Sequence, residues 1–309
     1  MDRPDFTHSG GLIAEKMTMT STFSLPSDRR KDAELAATRG RAFVQKAGFP
    51  LGTAMIDHAW SGGPAQAVMD ELAEYQNDDG GFGRGLEVDI ESPASNPFAA
   101  RLAMMMLLGL GDRPLSSLEA NLHRWLIDNQ HDDGDWHFSE ETGEGQLAPW
   151  FAGWTFPSLN PACCLAGYAN RLGIATPSML DRVAQLFDEK SSAEEARSGE
   201  FYALLPYVEY IAGVDWPGRA VSVEAVVDGI TAAERDGTYA DAGHFWEHVV
   251  GGGPDIAGGI PADVLSKRAD ALLSEQLPDG GWPTPYNDAW RPLLTAQACV
   301  TLARLRDGI

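Results

Sequence analysis

Apolar residues recur along the chain with one spacing. Ala65, Val68, Met69, Leu72 and Ala73 follow the i, i+3, i+4, i+7, i+8 pattern of a helix with one buried face. Leu115, Leu118, Leu122, Trp125 and Leu126 repeat it, as do Val223, Val226, Val227 and Ile230, and then Val264, Leu265, Leu272 and Leu273. Segments of another kind alternate with these. Pro97–Leu110 is apolar nearly all round, interrupted only by Arg101, and Pro161–Leu172 and Pro292–Leu305 are alike and rich in small residues. All three begin with Pro, which suits a first helical turn because its missing N–H costs nothing there. A helix apolar on every side must be buried on every side. The alternation predicts outer helices at about 32–47, 65–76, 115–130, 178–189, 219–234 and 261–276. Buried inner partners are predicted at about 51–60, 97–110, 161–172, 200–213, 244–250 and 291–306.

Each outer helix of the clearest copies ends in the same words. Tyr75-Gln76-Asn77-Asp78-Asp79-Gly80-Gly81-Phe82 returns as Asn129-Gln130-His131-Asp132-Asp133-Gly134-Asp135-Trp136 and as Glu275-Gln276-Leu277-Pro278-Asp279-Gly280-Gly281-Trp282. Glu234-Arg235-Asp236-Gly237-Thr238-Tyr239 is a weaker copy. Gly accepts the left-handed conformation that stops a helix. The Gln-x-x-Asp-Gly-x-aromatic pattern resembles the repeat of squalene–hopene and oxidosqualene cyclases, and its looser form in protein prenyltransferase β subunits. The resemblance covers most of residues 32–306 and implies an all-α fold, an α/α toroid of about six outer–inner hairpins (an α6/α6 barrel). Tandem hairpins with one buried ring close on themselves, because an open solenoid would need polar end caps that the sequence lacks. The toroid is expected over residues 32–309, with residues 1–31 as a mobile arm. In those families the repeat itself ties helices together, so its Gln and aromatic residues are expected to serve the fold.

Charge and cysteine usage narrow the function. The 309 residues hold 45 Asp plus Glu against 23 Lys plus Arg, a net charge of −22, which repels phosphate polymers and excludes nucleic acid as a natural partner. It also means that a diphosphate would need Mg²⁺ or a local Arg cluster. Three cysteines, Cys163, Cys164 and Cys299, supply neither a disulfide framework nor a zinc spacing, which points to the cytoplasm. No long apolar run predicts a membrane span.

Candidate chemistry gathers where outer helices lead into inner ones. The His137–Asn160 connection carries Trp150, Phe151, Trp154 and Phe156 without helical periodicity, as expected of cavity walls or of a cover on the barrel end. Class II terpene cyclases place Asp-x-Asp-Asp after a Gly-Gly-aromatic; here Glu87-Val88-Asp89-Ile90-Glu91-Ser92 follows Phe82, so the resemblance puts Glu91 at the acid position beside Asp89, with Ser92 in place of the last Asp. A second candidate is the pair Asp57-His58-Ala59-Trp60-Ser61-Gly62-Gly63-Pro64 and Glu247-His248-Val249-Val250-Gly251-Gly252-Gly253-Pro254. Both read carboxylate–His–x–x–small–Gly–Gly–Pro, and equivalent positions would stand at equal height around one lumen. His58 or His248 would then act as acid or base beside Asp57 or Glu247, or else close a helix end, where imidazolium favours the carbonyls. His244, four residues before His248, could complete a zinc pair, but no third ligand is evident and neither metal nor other cofactor is expected. Trp60, Glu87, Trp150, Trp154, Phe156, Trp246 and Trp290 are the expected substrate contacts. The leading expectation is an enzyme acting on a small, largely apolar, isoprenoid-like substrate by proton transfer or carbocation cyclisation. A toroid hydrolase or lyase on another substrate such as a saccharide, and a non-catalytic binding toroid, are the alternatives.

Overall fold

The computed structural model describes residues 23–309. Among them it is all-helical, with two isolated antiparallel bridges and no strand. In chain order the helices are α1 (Ser27–Lys46), α2 (Pro50–Ser61), α3 (Ala65–Ala73), α4 (Pro97–Leu108), α5 (Ser117–Asn129), α6 (Glu140–Glu144), α7 (Pro149–Ala152) and α8 (Leu159–Arg171). They continue with α9 (Pro177–Lys190), α10 (Ala193–Arg197), α11 (Phe201–Gly213), α12 (Arg219–Asp236), α13 (Ala242–Gly251), α14 (Gly253–Gly259), α15 (Ala262–Ser274) and α16 (Arg291–Asp307). Twelve of these are the expected alternation; α6, α7, α10 and α14 are short additions in the connections. No helix among the described residues is long and apolar enough to cross a membrane.

Burial follows the two kinds of sequence. In α4 and α8 nearly every residue is buried, whereas α3 buries Val68 and Leu72, and α15 buries Leu265, Ala269 and Leu272. Polar signals start the helices: the Asn96 side chain accepts from Ala99 N–H before α4, and Ser116 with Glu119 forms a capping box on α5. Helices expected to be inner pack in succession, α4 on α8, α8 on α11, α11 on α13, α13 on α16 and α16 on α2. The last helix also packs on α1, so the two ends of the described chain meet. Residues 1–22 of the expected arm lie outside the described residues. Its remainder belongs to the fold: Leu25 N–H donates to Leu305 O at 2.8 Å, Ile309 N–H donates to Phe23 O at 3.0 Å, and α1 begins at Ser27.

The repeat is a joint between outer helices. Gln76 donates one amide hydrogen to Gly80 O (3.0 Å) in its own loop and the other to Leu118 O (2.9 Å) on α5. Gln130 does the same with Gly134 O and Met179 O on α9, both at 3.1 Å. Gln276 does so with Gly280 O and Ala36 O on α1, both at 2.8 Å. The indoles of Trp136 and Trp282 donate back to Leu126 O and Leu272 O. The loop glycines adopt φ of 93°, 91° and 92°, and a Cβ on them would stand 2.3, 2.6 and 2.6 Å from the carbonyl oxygens of Asn121, Arg182 and Arg39 on the next helix. Glycine is thus required twice over, by conformation and by close approach.

Gly280→Ala is expected to cost about 2 kcal/mol or more, because left-handed strain adds to the collision with Arg39 O. Gly48→Ala, at φ 70° with nothing within 4 Å, should cost about 1 kcal/mol. Urea denaturation of both variants makes the comparison, and equal costs would mean that the joint is not closely packed.

Candidate functional site

A cavity of about 150 Å³ lies between α2, α4, α8, α13 and α16, walled by apolar side chains such as Met55, Met105, Met106, Val250, Leu294 and Trp282. Polar groups interrupt this wall in two places. Asp241, His244, Glu247 and Glu275 stand together, and Arg171 and Arg304 reach the cavity from the last turns of α8 and α16.

Arg101 organises the first group. Its guanidinium, buried in the otherwise apolar α4, grips both carboxylate oxygens of Glu209 on α11 and donates to Glu247 Oε1 on α13 at 2.7 Å. The Tyr168 hydroxyl on α8 donates to Glu209 Oε1 at 2.8 Å. Side chains of four helices therefore join in one network around Arg101. Burial alone would push Glu247 upward, but Arg101 outweighs it and holds the carboxyl below its usual range. Glu247 keeps 29% of its side chain exposed, so it is an ionised base within reach of a ligand. Glu87 behaves oppositely. Burial, with the charges of Asp89 and Glu247 adding to it, raises its carboxyl to about 8, against the pull of Arg101 and of the Asp89 N–H. Glu87 is a neutral acid at pH 7.

His244 has a partner on each nitrogen. Asp241 caps α13 by accepting the His244 backbone N–H (2.9 Å), and the same Oδ1 accepts from the imidazole Nδ1–H (2.8 Å). Nε2 lies 3.0 Å from the Tyr286 hydroxyl, which lies 2.7 Å from that of Tyr202. Burial lowers the basicity of His244, but the Asp241 carboxylate more than compensates and raises it above its ordinary value. His244 and Glu247, one turn apart on α13, thus share the cavity wall with opposite preferred charges.

The other expected residues divide. His58 borders the cavity, its Nδ1 2.7 Å from Gly63 O, but Asp57 faces outward and pairs with Arg41 (2.8 Å). In the second segment the roles reverse: Glu247 faces the cavity, and His248 is fully buried between Phe201 and Tyr239. His248 Nδ1 lies 2.8 Å from the Tyr239 hydroxyl and Nε2 3.1 Å from Phe201 O, and burial lowers its pKa to about 4. The two carboxylate–His pairs therefore do not face one lumen in the same way. His244 and His248 also do not converge as zinc ligands, since all four of their nitrogens have other partners; among the described residues no three His, Cys, Asp or Glu side chains gather as a metal site. Glu91 is exposed, its backbone N–H donating to Gln146 O, so it cannot serve as a buried acid. Asp89 accepts from the Trp290 indole at 2.9 Å, and burial raises its carboxyl. Trp60 donates to Cys299 O and lies under Arg306, joining α2 to α16. Trp246 borders the cavity but is almost wholly buried, its N–H directed to Arg268 O.

The aromatic connection is not a cavity wall. Trp154 and Phe156 join Phe98, Phe138 and Phe151 in a separate cluster with Ile90, and Trp150 is exposed beside Tyr286. This cluster grips the acidic loop: Ile90 bridges to Leu147, and Ala148 N–H donates to Asp89 O at 3.0 Å. Arg101, Glu209, Tyr168, Asp241 and Tyr286 are functional candidates that motif reading missed. Their signal was a charged residue inside an inner helix, as at Arg101 and Glu209, which the apolar pattern marks as an interruption.

The raised carboxyl of Glu87 has a thermodynamic consequence. Its folded pKa lies above the unfolded value, so its contribution to stability is complete below about 4.5 and is lost as pH rises through about 8. Glu87→Gln should remove this slope, at most about 1.4 kcal/mol per pH unit for one proton. Urea denaturation between pH 5 and 9 would test it; parallel profiles for variant and wild type would contradict the assignment.

A scan of the chain against protein-family models and a search of curated proteins find no match.

Proposed function

We propose that the six hairpins close into one α/α toroid, and that the chain is an enzyme transferring a proton on a small, largely apolar, isoprenoid-like molecule held in its lumen. Support for the closure comes from the Gln276 joint, which links α15 to α1 as Gln76 links α3 to α5 and Gln130 links α5 to α9. The activity reading rests on one observation. His244 and Glu247 share the wall of an apolar cavity, the basicity of the first raised by Asp241 and the carboxyl of the second held below its usual range by Arg101. A pair of titratable groups pushed apart in this way assigns an acid and a base. Glu247 takes the proton. The donor is His244, which lines the cavity, and the Tyr286 hydroxyl 3.0 Å from its Nε2 returns a proton to it after the transfer. Tyr202, half exposed, connects this pair to solvent. The isoprenoid-like substrate is favoured by the resemblance of the repeats to those of terpene cyclases. Proton transfer is favoured over cyclisation through a free carbocation, since Trp150, Trp154 and Phe156 stand away from the cavity and leave it few π faces.

Thermal shift against prenyl alcohols, prenyl diphosphates and terpenes identifies a binder, and turnover of that binder is then measured. His244→Gln and Glu247→Gln should each lower kcat by about 10²–10⁴, whereas His248→Gln should leave it unchanged. Activity should fall as pH rises through the raised His244 pKa and as it falls through the lowered Glu247 pKa. Wild-type rates in both variants, or a binder that the wild type leaves unconverted, would overturn the reading.

A further inference from the structure

Two guanidiniums on the cavity wall stand without counter-charges. Arg304 is partly enclosed and Arg171 exposed at the cavity edge, and among the described residues neither has a carboxylate or carbonyl partner. The charged group that bears on Arg304 is Arg171, a repulsive neighbour, while the Arg171 guanidinium lies 6.0 Å from the Tyr168 ring centroid. Its neighbour Arg306, by contrast, is fully engaged: it pairs with Asp307 (2.7 Å), donates to Ala59 O on α2 and lies over Trp60. Arg304 Nη2 lies beside Gly109, the residue that closes α4, where a Cβ would stand 3.6 Å from it. Partly enclosing the Arg304 cation without a counter-charge has a cost, which an incoming anion would offset.

We propose that Arg304, assisted by Arg171, binds the carboxylate of a molecule whose apolar body lies along Met105, Leu110 and Ala298. This rests on the proposed function only in taking the cavity as the ligand site. A planar guanidinium matches a carboxylate with two parallel hydrogen bonds. A polyphosphate suits the site less. The chain carries a net charge of −22, Asp241, Glu247 and Glu275 share the same cavity, and among the described residues no carboxylate group is arranged to hold Mg²⁺. A singly charged head on an apolar body meets the least repulsion. With its head at Arg304, such a molecule has its orientation in the cavity fixed.

Calorimetric titration of the full chain with geranic acid, geraniol and geranyl diphosphate tests this. Geranic acid should bind at least about tenfold more tightly than geraniol, the effect of one charge-assisted contact. Arg304→Gln should abolish that preference without changing the geraniol affinity, and Arg304→Lys should restore part of it. The melting temperature of ligand-free Arg304→Gln should not fall, whereas a helix-capping arginine would lower it on removal. Equal affinities for acid and alcohol, no binding of either, a preference that survives Arg304→Gln, or tighter binding of the diphosphate would each overturn the proposal. His244→Gln should keep the acid-to-alcohol ratio, so failure of the proton-transfer reading is separable from failure of this one.

Discussion

A side-chain amide with two hydrogens to give holds neighbouring helices in register. At Gln76, Gln130 and Gln276 one hydrogen closes the loop that ends the helix and the other reaches a backbone carbonyl of a neighbouring helix. Each bond contributes only about 1 kcal/mol net, yet the spacing they impose decides which inner residues can meet. The glycine beside each glutamine sits so near the next helix that no side chain could intervene. Everything inward of these joints inherits their spacing.

At the centre that spacing brings an arginine against two glutamates. Burying Arg101 with Glu209 alone would make a neutral pair, and hydrophobic residues of similar volume could often replace such a pair without loss. Adding Glu247 leaves an excess negative charge that the interior must accommodate. It does so by keeping Glu87 protonated and by opening part of Glu247 to the cavity. A polar interior of this kind is poor material for a scaffold and good material for acid–base work.

The sequence carried the helices far better than it carried the site. The inner segments expected at 97–110 and 291–306 are α4 and α16 within two residues, because burial on all sides leaves a local trace. The Gln–Gly words located the joints for the same reason. Azimuth leaves no such trace. Asp57-His58 and Glu247-His248 are the same dipeptide type, yet successive residues on a helix differ by about 100°, and the two segments are rotated so that His58 and Glu247 face inward while Asp57 and His248 do not. The aromatic residues of His137–Asn160 misled similarly: without a period, nothing says whether they line a hollow or cluster with one another. They cluster, and through Ile90 they brace the loop that carries Glu87 and Asp89.

One joint is made from different chemistry. Between α12 and α15 there is no glutamine; Glu234 instead accepts from Lys267 at 2.6 Å and from Arg268. An amide does not titrate, whereas Glu234, held below its usual pKa by those two cations against the pull of burial, gives up its hold once acid protonates it. Of the joints described, this one alone has an ionisable latch. Only acid stronger than the ordinary carboxylate range therefore reaches this latch, and there it acts unevenly, loosening α12 from α15 while the amide seams hold.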